Sequence, residues 1–86
     1  MVMAFEVLNR LKWKGGLEWC EIIILHRGAP GDRKVIPGQQ LTGLDRHYFY
    51  YKDGDRETTI PLHRVREVWL EGKLVWQREE NPKNQD

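Results

Sequence analysis

The chain has 86 residues, 40% of them apolar and 31% charged, with a formal net charge of +1. That is enough for one small globular domain and too apolar for a disordered chain, and its charge is far below that of a nonspecific nucleic-acid coater. No apolar run approaches bilayer length, residues 1–10 lack the basic start and apolar core of a secretory signal, and the single Cys20 cannot form an internal disulfide, so the expected setting is cytoplasmic and reduced.

In chain order, Ala4, Val7, Leu8 and Leu11 recur at helical spacing, with polar residues between them. They predict an amphipathic helix that ends at Gly15-Gly16, with Trp13 covering the edge of the core. Cys20-Glu21-Ile22-Ile23-Ile24-Leu25 is apolar on both parities and predicts a central strand covered on two faces. If that strand continues, His26 and Arg27 point to opposite faces. Gly28 to Gly43 reads mostly as loop, with a short edge strand at Lys34-Val35-Ile36.

Tyr48–Lys52 and Arg56–Ile60 flank Asp53-Gly54-Asp55, a strong hairpin signal. A two-residue Asp53-Gly54 loop would set Tyr51 opposite Arg56 and Phe49 opposite Thr58. Pro61 stops that strand, and Leu62-His63-Arg64 turns the chain into Val65–Leu70. A second hairpin at Glu71-Gly72 pairs Trp69 with Leu74 and Val68 with Val75. The expected fold class is α+β: an N-terminal helix packed on a curved, mostly antiparallel sheet of about five strands, or a small half-open barrel. Residues 1–78 form the expected single compact domain. Residues 79–86 read as a disordered polar tail in which Glu79, Glu80 and Asp86 outweigh Lys83, leaving +3 on residues 1–78.

Chemistry concentrates where two apolar segments each end in a His-Arg dipeptide, His26-Arg27 and His63-Arg64. Arg27, Arg33, Lys34 and the amides of Gly28 and Gly31 could hold a phosphate, because guanidinium forks and glycine amides match its oxygens. The plainer alternative is a surface loop in which Asp32 pairs with Arg33 or Lys34. No Walker-type loop is present. His26 and His63 could act as an acid-base pair on a phosphodiester. Two-histidine phosphoesterases usually carry Thr or Ser two residues after each His, however, and here those positions are Gly28 and Val65. Phosphate contact or structural support is therefore preferred to catalysis. Tyr48-Phe49-Tyr50-Tyr51 could stack bases on whichever stripe the core leaves free. Nothing in the sequence calls for a metal or another cofactor, and beyond the His-Arg echo no repeat is evident. If Cys20–Leu25 and Val65–Leu70 lie side by side, both dipeptides reach one rim, with the Gly28–Asp32 loop as its wall.

Three stretches resemble a known family: Leu8-Asn9-Arg10-Leu11-Lys12-Trp13, the run from His26 to Gly38, and Ile60-Pro61-Leu62-His63-Arg64-Val65-Arg66-Glu67-Val68. It is a small archaeal family described as the RNA cyclic-group end recognition domain. The resemblance implies binding of phosphate-bearing RNA ends, 2′,3′-cyclic or related, in RNA processing or repair. It also implies RNA 3′ ends and RNA-processing enzymes as partners. Its matching positions are His26, Arg27, Gly28, Asp32, Lys34, His63 and Arg64, to which the basic loop adds Arg33. The alternatives are a small RNA phosphodiesterase using the two histidines, or a noncatalytic protein-interaction domain.

Overall fold

A computed structural model describes residues 3–78; the expected disordered tail lies outside them. The helix α1 spans Ala4–Lys14. Its start is secured by the Met3 N–H, which donates to the Glu6 carboxylate at 2.7 Å. Its end follows from Gly15, which takes φ 81° and lets the Gly16 N–H return to the Leu11 carbonyl at 2.9 Å. Ala4 and Leu8 are buried, with Phe5, Val7 and Leu11 packed around them. Trp13 does not cover the core edge, as it is 79% exposed. Five positions past Leu8, it lies about 140° around the helix from the apolar stripe.

Seven strands follow: β1 (Cys20–Leu25), β2 (Arg33–Pro37), β3 (Leu41–Leu44), β4 (Tyr48–Asp53), β5 (Arg56–Pro61), β6 (Val65–Leu70) and β7 (Lys73–Gln77). They form two antiparallel sheets, β2-β1-β6-β7 and β3-β4-β5. The fold is thus mostly β with an N-terminal helix, and in place of one curved sheet of about five strands there are two sheets and no closed barrel among the described residues. Ile22, Ile24, Ile36, Val65 and Val68 of the first sheet meet Phe49, Tyr51 and Ile60 of the second in one buried cluster, which Leu8 joins from the helix. No helix among the described residues is long and apolar enough to cross a membrane.

The chain changes sheets at two short turns, Gly38–Gln40 between β2 and β3 and Leu62–Arg64 between β5 and β6. Each is entered from a proline in nearly the same conformation, φ −62° and ψ 137° at Pro37, φ −64° and ψ 137° at Pro61. Fixed proline geometry ends one strand and starts the corner. At the first corner the backbone of Gly38 lies directly against the backbone that leads into β1 and against its first residue. A Cβ there would overlap the Leu17 carbonyl oxygen and stand 3.1 Å from that of Cys20.

Several local expectations shift. β1 is central, but only Cys20, Ile22 and Ile24 are buried, while Glu21 is exposed and Ile23 and Leu25 are half-buried. One face carries the core, and the other is only shielded by neighbours. β3 begins inside the Gly28–Gly43 stretch that reads mostly as loop. Four residues containing a glycine carry little strand signal, and β4 supplies it, with the Tyr50 ring lying over Gly43. In the first hairpin Asp53 pairs with Arg56, so the loop is Gly54-Asp55, and Phe49 faces Ile60 while Tyr51 faces Thr58. The two-residue slip keeps every side chain on its face and brings Ile60 into the core beside Phe49. In the second hairpin Trp69 faces Leu74 as expected, but a bulge then seats Val68 opposite Trp76 and leaves Val75 exposed.

Candidate functional site

β1 and β6 run antiparallel with Ile24 opposite Val65, so the end of one strand and the start of the other share a rim. An open cleft of about 420 Å³ lies there, lined by Leu25, His26, Arg27, His63, Arg64 and Arg66. Both His-Arg dipeptides therefore face one space. The first leaves β1 and starts a loop closed by the His26 N–H, which donates to the Asp32 carbonyl at 2.8 Å. The second is part of the corner between β5 and β6. Arg66 joins them through a register shift: Ile24 pairs with Val65 and Ile23 with Glu67, which leaves Arg66 as the extra residue of a bulge. Bulges re-aim side chains in this way.

The arginines differ in how firmly they are held. Arg27 is exposed, and its guanidinium is available to a ligand. Arg64 donates from Nε and Nη2 to the Leu25 carbonyl at 3.1 and 2.7 Å, tying the corner to the end of β1. Behind it, Arg78 donates to the carbonyls of Val65 at 2.9 Å and Leu62 at 3.1 Å and stacks 5.3 Å from the centroid of Trp76. Partial burial, and then the nearby charge of Arg66, lower the pKa of Arg78 from the usual arginine range. The cleft lining holds three arginines and two histidines and no carboxylate. Such a surface attracts an anion and presents planar forks to its oxygens.

The other candidate residues lie off the cleft lining. Asp32 does not pair with Arg33 or Lys34; it shapes the loop, accepting from the Gly28 N–H at 3.3 Å and adopting φ 56°. The Gly28 amide is thereby engaged inside the loop, and the Gly28–Asp32 segment does not wall the cleft. Arg33 donates to Glu67 at 2.8 Å across the outer face of the four-stranded sheet. Lys34, on the opposite face of β2, donates to the Tyr51 hydroxyl at 3.2 Å, with its ammonium 5.6 Å from that ring's centroid. Sequence reasoning missed Arg66 and Arg78 as members of the cluster. A bulge and a cross-strand brace leave no mark on hydrophobic periodicity. Among the described residues, no group of three or more His, Cys, Asp or Glu is placed to hold a metal.

The core settles which aromatic stripe is free. Phe49 and Tyr51 are buried, and Tyr48 and Tyr50 face outward.

Compared with known proteins, residues 1–78 match the family model of the MJ1316 RNA cyclic group end recognition domain. A UPF0248 protein of Thermococcus onnurineus is 41% identical over 75 residues, which span 84% of this chain and 80% of that protein. One of Metallosphaera sedula is 33% identical over 77 residues, 88% of this chain and 92% of its own length. The UPF0248 protein MJ1316 of Methanocaldococcus jannaschii is 38% identical over 68 residues, 77% of this chain and 79% of that protein. No solved structure matches.

Proposed function

We propose, from the premise that this chain belongs to the MJ1316 RNA cyclic group end recognition domain family, that its basic cleft holds a phosphate-bearing RNA end. The observation that carries this is the meeting of His26-Arg27 and His63-Arg64, from different parts of the chain, in one cleft with Arg66 and without a lining carboxylate. A 2′,3′-cyclic phosphate at an RNA 3′ end offers two non-bridging oxygens, the geometry a guanidinium fork fits. Arg27 is the freely adapting fork, Arg64 the one already set by Leu25, and the histidine N–H groups complete the donors. Gly28 and Asp32 shape the loop that carries Arg27, while Arg33 and Lys34 fasten the neighbouring strand β2. Such a module would mark RNA ends for processing or repair.

The test is binding of short RNAs that differ only at the 3′ end: 2′,3′-cyclic phosphate, 3′-phosphate or 3′-hydroxyl. Phosphate-bearing ends should bind more tightly. Arg27→Ala should weaken them roughly 10- to 100-fold, the worth of a hydrogen bond to a charged group, with an unchanged melting temperature because Arg27 is exposed. Equal affinity for all three ends would remove end recognition.

A second reading has one observation in its favour, that both imidazoles line the same cleft. A two-histidine phosphodiesterase would add water across the cyclic ester and break one P–O bond, one histidine taking a proton from water and the other giving one to the departing oxygen. Ring opening by purified protein, abolished by His26→Ala and by His63→Ala, would establish it. An intact cyclic end after prolonged incubation would leave binding alone.

A further inference from the structure

We propose that Tyr48, with His47 beside it, is a stacking platform for the base of the terminal nucleotide whose phosphate the cleft holds. The proposal rests on the phosphate-end reading and adds the base to it.

Tyr48 is 43% exposed on the outer face of β4, the most exposed aromatic ring of that strand. Its register partner is Pro61, the residue that opens the corner carrying His63 and Arg64. The preceding residue is tied to the same corner, because the Leu62 N–H donates to the His47 carbonyl at 2.8 Å. Backbone spacings then put the Tyr48 Cα no more than roughly 12 Å from that of His63, within reach of one nucleotide. The His47 and Tyr48 rings form an edge-to-face pair, 6.5 Å between centroids and 67° between planes, which leaves a tyrosine face for a base.

The platform is preset. Asp45 accepts from the His47 and Tyr48 N–H groups, both at 2.9 Å, and from the Tyr50 hydroxyl. Those bonds, the Tyr50 hydroxyl first, hold the Asp45 carboxyl below the usual carboxylate range. The loop before β4 therefore needs little ordering when a ligand arrives. Trp19, also exposed, does not compete for this role. Its carbonyl accepts from the Glu71 N–H at 3.2 Å, at the far end of β6 from the cleft, roughly 15–20 Å away by strand rise. Aromatic stacking tolerates any base, so the platform would recognise a nucleotide end as such and leave sequence unread.

The experiment compares two cyclic-phosphate-ended RNAs, one ordinary and one whose last nucleotide lacks its base. Wild type should prefer the ordinary RNA by roughly 5- to 100-fold, the measured span for one stacked base. Tyr48→Ala should erase that preference while binding the abasic RNA within about twofold of wild type, and Tyr48→Phe should keep it. If alanine weakens the sheet, Tyr48→Val preserves strand propensity and gives the same readout. A wild type indifferent to the missing base, or a Tyr48→Ala protein that still prefers the ordinary RNA, overturns the platform. Arg27→Ala separates the two readings, since it must weaken both RNAs alike. If it weakens neither, the phosphate site fails, whatever Tyr48 does.

Discussion

Glu67 shows how one side chain on the outer face takes two jobs. Its carboxylate accepts from the Trp69 indole N–H and from Arg33, each at 2.8 Å. The indole bond first, and Arg33 second, lower the Glu67 pKa from the ordinary glutamate value. A carboxyl whose folded pKa is depressed stabilises the fold at pH above its unfolded value, about 4.3, and loses that contribution as pH falls through the folded pKa. Stability should thus be insensitive to this group between pH 7 and 5 and should decline below that. The pair is partly exposed, so the effect should be a few tenths to about 1 kcal/mol. Urea melts at pH 6, 4 and 3 check it: Glu67→Gln should lose less stability than wild type over that span. Cys20 has no comparable role. Burial raises its thiol pKa to about 11, and the thiol donates to the Gly16 carbonyl at 3.4 Å, so it is a core residue rather than a nucleophile.

At the scale of elements, the two proline corners do the organising. Ile36-Pro37-Gly38-Gln39-Gln40-Leu41 and Ile60-Pro61-Leu62-His63-Arg64-Val65 are versions of one device, Ile-Pro followed by a three-residue turn and an apolar residue. The His-Arg echo is visible in the sequence, yet this second echo is easily passed over because its middle residues differ. They differ for a reason. At the first corner Gly38 is pressed against the backbone at Leu17 and Cys20, whereas at the second Leu62 fills the core and His63 and Arg64 face the cleft. Gly38→Ala should therefore cost about 3 kcal/mol or more, since backbone cannot yield as a side chain does. Chemical denaturation would read it. A loss below 1 kcal/mol would mean that the corner moves freely.

For the whole molecule, the cleft exists because the chain crosses between two sheets. β1 delivers His26-Arg27 to its rim in the four-stranded sheet, and the corner leaving the three-stranded sheet delivers His63-Arg64 to the same place. Charge is concentrated there and modest elsewhere, with +3 on residues 1–78. A site gripping one or two phosphates should therefore show a shallow salt dependence, a slope of log K against log salt between roughly −0.7 and −1.5 for single-stranded RNA. Binding isotherms from 50 to 300 mM salt measure it. A slope steeper than about −3 would mean that a tract of backbone is bound rather than an end.

Taken alone, the sequence determined the helix, its glycine stop, the strands rich in β-branched and aromatic residues, and both tight turns. These are set by local periodicity and by residues with restricted or permissive dihedrals. It also marked both His-Arg dipeptides, since basic pairs at the ends of apolar segments stand out against a core pattern. Only the tertiary structure decided that β3 is a strand, because Leu41–Leu44 gains its order from β4. The same holds for the hairpin registers, where Ile60 is drawn opposite Phe49 by the shared core and Val75 is pushed out by a bulge. It also decided that Arg66 and Arg78 belong beside the cleft while Arg33 and Lys34 turn to Glu67 and Tyr51. Those partners lie far apart in the chain, and which basic group meets an anion and which meets a neighbour is fixed only when two sheets close on one core.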